Sequence, residues 1–440
     1  MTQPDQLTYE TLTAIEIATA VTAGSMSGKN VIKAVQAIIE QREPEVGAWN
    51  YLASPQALAS AAAENRDGPL AGVPVAIKDI LETADMPTAN GIAAHEGRKT
   101  SRDAVVVERL RAVGAIIVGK TVTTECAFGA SGKTTNPHDK TRTPGGSSSG
   151  SAASVAAGMV PLAVGSQTAG SIVRPAAYCG VWGMKPSFGV LPRTGMLALA
   201  PSLDHPGFFA RNAEDLALAF DVTSGDDGVD PAVSGFAGTQ LRAALAMPVA
   251  RPRLAFARTF AWDDMDRDAA RRLEKVAQQL HAEELPMGPE FDIVPEAHRV
   301  VLMGEAAHSL KTIYDAGPAG VSQMLRERIE SGMLIDRDAY LTARSQLDAL
   351  RPLFRRLLAP FDATITPATS GEAPVGLAHT GSRNQTMLWS TFGAPAINVP
   401  GLSGENGLPL GLQVVGVPGS DGLTLRAAAW VARAIKETAV

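Results

Sequence analysis

The run Thr143-Pro144-Gly145-Gly146-Ser147-Ser148-Ser149-Gly150-Ser151 constrains this chain more than any other stretch. Taken alone, a Ser/Gly tract reads as a flexible linker. Here it stands between core-like segments, with apolar runs at residues 73–77 and 115–118 before it and 162–164 after it. A linker has no place there. The run is therefore read as a loop held inside the fold, where glycine lets the backbone turn tightly.

The flanking pattern sets the fold class. Residues 73–77 and 115–118 are buried-type strands, 104–113 and 151–157 are helical, and 162–164 is a short strand. Such alternation predicts an α/β fold, a mixed β-sheet core covered by helices on both faces. Residues 10–65 read as helices, with Ser27 as an N-cap and Ser54-Pro55 opening another helix. Residues 262–358 read as four helices (263–280, 296–314, 321–331 and 337–358) without a convincing strand. Strand character returns at 363–366 and 412–417, and a last helix starts near 423. The expectation is one domain over 1–440: a helical layer (1–65), a core (66–260), a helical excursion (261–358) and a return to the core (359–440).

The 440 residues are ample for a large core, and 45% hydrophobic with 19% charged residues excludes a disordered chain. A net charge of −6 without a basic run gives no footing for a phosphate backbone, so no nucleic-acid partner is expected. No stretch is long and apolar enough to span a bilayer, and the start shows no leader pattern. No membrane association and a cytoplasmic location are expected. Cys126 and Cys179 have no metal-type neighbours and read as buried thiols. The seven histidines show no ligand spacing. No metal or cofactor is expected.

Three motifs mislead. Gly114-Ala115-Ile116-Ile117-Val118-Gly119-Lys120-Thr121 fits a phosphate loop, but its middle is itself a strand, with Lys120 read as ending it. Gly146-Ser147-Ser148-Ser149-Gly150 fits a nucleophile elbow, but residues 139–144 before it cannot form a core strand. Asn384-Gln385-Thr386 is a glycosylation sequon, which means nothing without secretion.

Two residues carry chemistry on their own terms. Ser171 follows the small residues Thr168, Ala169 and Gly170, a turn able to aim backbone N–H groups at one point. Ser171 is read as a nucleophile and residues Thr168, Ala169, Gly170 and Ser171 as an oxyanion hole. Lys78 ends the apolar run Val75-Ala76-Ile77 and is read as its base. Burial can bring a lysine from ~10.4 toward ~7, where it can take a proton. The competing reading pairs Lys78 with Asp79.

These residues resemble the amidase signature family. The resemblance runs from about Gly72 to Pro418 and rests on the Ser/Gly loop, the Ala169-Gly170-Ser171 turn and their spacing. It continues through Cys179-Gly180-Val181-Trp182-Gly183-Met184-Lys185-Pro186, Ser202-Leu203-Asp204 and Gly407-Leu408-Pro409-Leu410-Gly411-Leu412-Gln413. It implies a sheet of about eleven strands. It implies hydrolysis of a small-molecule amide to acid and ammonia through a seryl acyl-enzyme. It also gives Ser147 a role, as the serine that relays protons between Ser171 and Lys78 and that follows a cis peptide bond. Ser148 would support the network.

The chain departs from the family at one place. Gln167 stands where most members have an aspartate, and Arg174 lies three residues after the nucleophile rather than two. That variant looks like the malonamidase-type branch. It makes Arg174 a candidate for substrate binding, through paired hydrogen bonds to a carboxylate. The competing reading is a structural ion pair, with Asp204 as the conceivable partner. The expected partners are the small-molecule amide and, if the chain self-associates, a second copy in a homodimer. A second function shares these motifs: the amidase component of a tRNA-dependent amidotransferase complex.

Overall fold

Eleven strands join in one sheet in this computed structural model, which describes residues 9–64, 67–248 and 251–438. The expected boundary at 65/66 and the first residues of the leader reading lie outside the described residues. In chain order the strands are β1 (Trp49–Leu52), β2 (Pro74–Lys78), β3 (Ile116–Thr121), β4 (Leu162–Gln167), β5 (Trp182–Lys185), β6 (His205–Ala210), β7 (Leu254–Arg258), β8 (Glu283–Pro286), β9 (Ala363–Pro367), β10 (Ala396–Ser403) and β11 (Pro409–Val415). Across the sheet they run β1-β3-β2-β4-β6-β5-β10-β11-β9-β7-β8. β2 is parallel to β3 and β4, and β7 is parallel to β8 and β9. All other pairings are antiparallel, so the sheet is mixed.

Both faces are covered, and β7 shows why. Side chains alternate across a strand. Leu254 and Phe256 join the core that holds Leu216 and Val431, from helices Ala213–Thr223 and Asp421–Thr438. Ala255 and Ala257 join a second core with Val301 and Trp389, from helices Val294–Ser309 and Asn384–Thr391. All five residues of β2 are buried, which is why the strand reads as a continuous apolar run.

The helix starts follow their caps. The Ser27 side chain accepts from Asn30 N, and Ser54 Oγ accepts from Ala57 N at 3.2 Å. The phosphate-loop look-alike is β3, whose residues are all buried. Lys120 does not merely end that strand; it is ion-paired with Asp79.

Other expectations need correction. Residues 10–65 include β1, and the helical stretch 262–358 includes β8. Both are four-residue edge strands with three of four residues exposed, so neither carries an apolar run. The helix expected at 296–314 is two helices, Val294–Ser309 and Lys311–Asp315. β10 and the helix Asn384–Thr391 went unread in the return to the core. No helix among the described residues is long and apolar enough to cross a membrane.

Candidate active site

The site forms where β2 and β4, parallel neighbours, end beside the Ser/Gly loop. Lys78 is the last residue of β2 and is fully buried. Its Nζ lies 2.7 Å from Ser147 Oγ and 2.8 Å from Ser166 Oγ. As an ammonium it donates to both hydroxyls. As a neutral amine it still donates to Ser166 while its lone pair faces Ser147. The peptide bond between Gly146 and Ser147 is cis. Gly145 before it has φ +83°, and a Cβ there would lie 2.8 Å from Pro175 Cα, so only glycine fits.

Ser166 was not anticipated from the sequence. The available signal was a polar residue inside the apolar segment Leu162-Ala163-Val164-Gly165-Ser166-Gln167. Ser148 secures it. The Ser148 hydroxyl accepts from Ser166 N and donates to Ser166 O, each at 3.2 Å.

Burial pushes Lys78 down to about 7. Asp204 opposes that shift and Arg174 adds to it. Asp79 does not pair with Lys78. It takes Lys120 at 3.3 Å, Asn50 Nδ2 at 2.7 Å and the Ala89 amide at 3.2 Å. The ion-pair reading of Lys78 is thereby removed.

The turn from Thr168 to Ser171 is built by a side chain. Gln167 Oε1 accepts from Ile172 N at 2.8 Å and Val173 N at 2.9 Å, the exposed donors at the start of helix Val173–Cys179. Gln167 Nε2 donates to Ser390 Oγ at 2.8 Å, and Ser390 Oγ donates to Ala169 O at 2.7 Å. The carboxamide offers both an acceptor and a donor, so one residue ties the helix start and, through Ser390, the turn itself. Gly170 is packed so tightly that a Cβ would lie 2.4 Å from Thr386 Oγ1. Ser147, the Thr168–Ser171 turn and Arg174 all border one cavity of about 540 Å³. Ser171 is half-buried there.

Arg174 lies in the first turn of helix Val173–Cys179, with Pro175 inside that helix rather than ending it. It is buried. Its Nη1 donates to Gly381 O at 2.7 Å and its Nη2 to Gly146 O at 2.5 Å, while its Nε has no partner. Asp204 is not its partner. That carboxylate accepts from Thr168 Oγ1 at 2.6 Å and from the Leu199 and Ala200 amides at 2.8 and 2.9 Å. No carboxylate among the described residues pairs with Arg174.

Cys126 and Cys179 are buried free thiols. Among the described residues no group of three or more His, Cys, Asp or Glu could hold a metal ion.

A buried, proton-poor lysine bound to a serine, opposite a turn of free amides and a second serine, defines the class: an amide-hydrolysing serine enzyme without histidine. The chain belongs to the amidase family, whose sequence profile matches residues 30–425. It is 34% identical to the amidase-type component of a glutamyl-tRNA(Gln) amidotransferase from Symbiobacterium thermophilum, over 91% of this chain and 92% of that one. It is 33% identical to AtzE, a component of the 1-carboxybiuret hydrolase of Pseudomonas sp. strain ADP, over 94% of this chain and 96% of that one. Among solved structures it matches a vestigial protein complex bearing on the evolutionary origins of an s-triazine catabolic enzyme. That match has a TM-score of 0.90 and 30% identity, over 98% of this chain and 99% of that one.

Proposed function

We propose that the protein hydrolyses a small amide that carries a carboxylate, using Ser171 as nucleophile, Ser147 as proton relay and Lys78 as base. The observation that carries this reading is the Lys78–Ser147 contact of 2.7 Å, made by a lysine that burial holds near 7. Ser147 gives its proton to neutral Lys78 and takes the proton of Ser171. Ser171 Oγ attacks the amide carbon, and the carbonyl oxygen takes up negative charge facing the amides of residues 168–171. The lysine ammonium returns its proton through Ser147 to the leaving nitrogen, the C–N bond breaks, and ammonia departs. Water then attacks the seryl ester, giving its proton along the same relay, and the acid is released.

The carboxylate preference rests on Arg174, which lines the cavity and has no acidic partner. Its position three residues after Ser171 supports the malonamidase-like reading. The 1-carboxybiuret hydrolase relative, named for a carboxylated substrate, is in keeping with it.

A second reading has a specific finding in its favour. The 34% identity to an amidotransferase component supports a role inside a tRNA-dependent complex. Ammonia release by the purified chain, screened over malonamate, aliphatic and aryl amides, ureas and glutamine, separates the two. Turnover by the isolated chain supports the first reading; turnover only with partner subunits and tRNA supports the second. Ser171→Ala should lower the rate by ~10⁴-fold or more. A serine-directed phosphonate should label Ser171; labelling of Ser147 or Ser148 would reverse the assignment.

A further inference from the structure

The cavity beside Ser171 holds more positive charge than the chemistry needs. Arg174, Arg299, Arg328 and Arg383 all border it, and no Asp or Glu does. Three of the four have partners. Arg299 is bridged to Glu296 at 2.6 Å. Arg328 donates to Phe128 O and lies over the Phe128 ring. Arg174 donates to two carbonyls. The Arg383 guanidinium makes no hydrogen bond or ion pair with any described residue.

Arg383 also sits close to the reacting groups. A Cβ built on Gly170 would lie 3.4 Å from Arg383 Cβ. Its segment is pinned by Arg174, which holds Gly381 O two residues earlier. Burial and the neighbouring Arg328 charge both disfavour its cationic form, so nothing in the protein compensates it. A half-buried guanidinium kept without a counter-charge is costly until an anion arrives, and its planar fork fits a carboxylate.

We infer that Arg383 is a second anion-binding residue of this cavity, so that the preferred substrate is an amide bearing a carboxylate and no ammonium group. The inference rests on the cavity being the active site. It goes further in naming the residue that reads charge and the amides that are refused. A zwitterion such as glutamine brings an ammonium group into a cavity lined by arginines, with no carboxylate to receive it.

The test compares kcat and KM for malonamate, propionamide and glutamine in the wild type, Arg383→Gln, Arg383→Lys and Arg383→Asp, with melting temperatures recorded for each. Arg383→Gln should raise KM for malonamate by roughly tenfold to a hundredfold while leaving propionamide within about twofold. Arg383→Lys should recover part of that loss. Arg383→Asp should shift the preference from malonamate toward glutamine. An unchanged malonamate-to-propionamide ratio in Arg383→Gln overturns the inference while the active-site reading stands. So does a wild-type preference for glutamine. Hydrolysis that survives in Ser171→Ala overturns the active-site reading and this inference together.

Discussion

Asp79 and Lys120 form a buried ion pair, with Lys120 Nζ 3.3 Å from Asp79 Oδ1 and both side chains out of solvent. The pair occupies the one carboxylate adjacent in sequence to Lys78. Lys78 is left with hydroxyl neighbours, and burial brings it to about 7 without a counter-ion against it. The ion pair and the proposed base thus depend on one division of labour between two lysines.

Removing one member of a buried pair strands the other's charge. Lys120→Met should cost ~3–5 kcal/mol, read as a lower melting temperature and urea midpoint. Lys78 keeps its own neighbours in this variant. The pH midpoint of activity in the folded fraction should stay where it is. A shifted midpoint at unchanged stability would show that Lys120 acts on the chemistry instead.

The base must be neutral to act. Since Lys78 titrates near 7, kcat/KM should rise with pH through about 7 and fall away below it. Lys78→Ala should lose nearly all activity, and Lys78→Arg should not restore it, because arginine does not give up its proton. Near-normal turnover in Lys78→Arg would end the base assignment. The same lysine burdens the fold. An unfolded lysine holds its proton up to ~10.4. Between about 7 and that value the unfolded chain carries the extra proton, so stability from this group rises as pH rises. Lys78→Met should therefore gain stability, most at pH 7 and below, by on the order of 4 kcal/mol. Thermal melts across pH test this directly.

Gln167 and Ser390 shape the proposed oxyanion turn without bordering the cavity. Gln167→Ala leaves the Ile172 and Val173 amides and the Ser390 hydroxyl short of a partner. The expected outcome is a kcat loss of ~10²–10³ with little change in KM, as for a damaged oxyanion hole. Gln167→Glu keeps the acceptor for the two amides and should retain more activity than Gln167→Ala. An effect confined to KM would place Gln167 in substrate binding instead.

Arg174 can be tested on matched amides. If it binds the substrate carboxylate, Arg174→Ala should cost ~2–5 kcal/mol in kcat/KM for malonamate and little for propionamide. It also bonds Gly146 O and Gly381 O, so some loss of thermal stability is expected in either case. Equal losses on both amides would make the residue structural.

The sequence by itself determined the sheet's central strands, the main helices, and the identity of Lys78, Ser147, Ser171 and the 168–171 turn. Those features are local. A buried parallel strand such as β2 is apolar throughout, a cap lies next to the helix it starts, and small residues before Ser171 announce a tight turn. The tertiary structure decided what each polar group meets. Asp79 adjoins Lys78 in sequence yet pairs with Lys120 on β3, because successive side chains at a strand's end point to opposite sides. Asp204 serves Thr168 rather than Arg174. Ser166, Ser390 and Arg383 joined the site only on folding, since Ser390 and Arg383 lie more than two hundred residues beyond the Gln167 turn. Periodicity records which face of an element is dry. It carries no record of which distant polar group will arrive to satisfy a donor, and in this site those arrivals set the charge of the cavity.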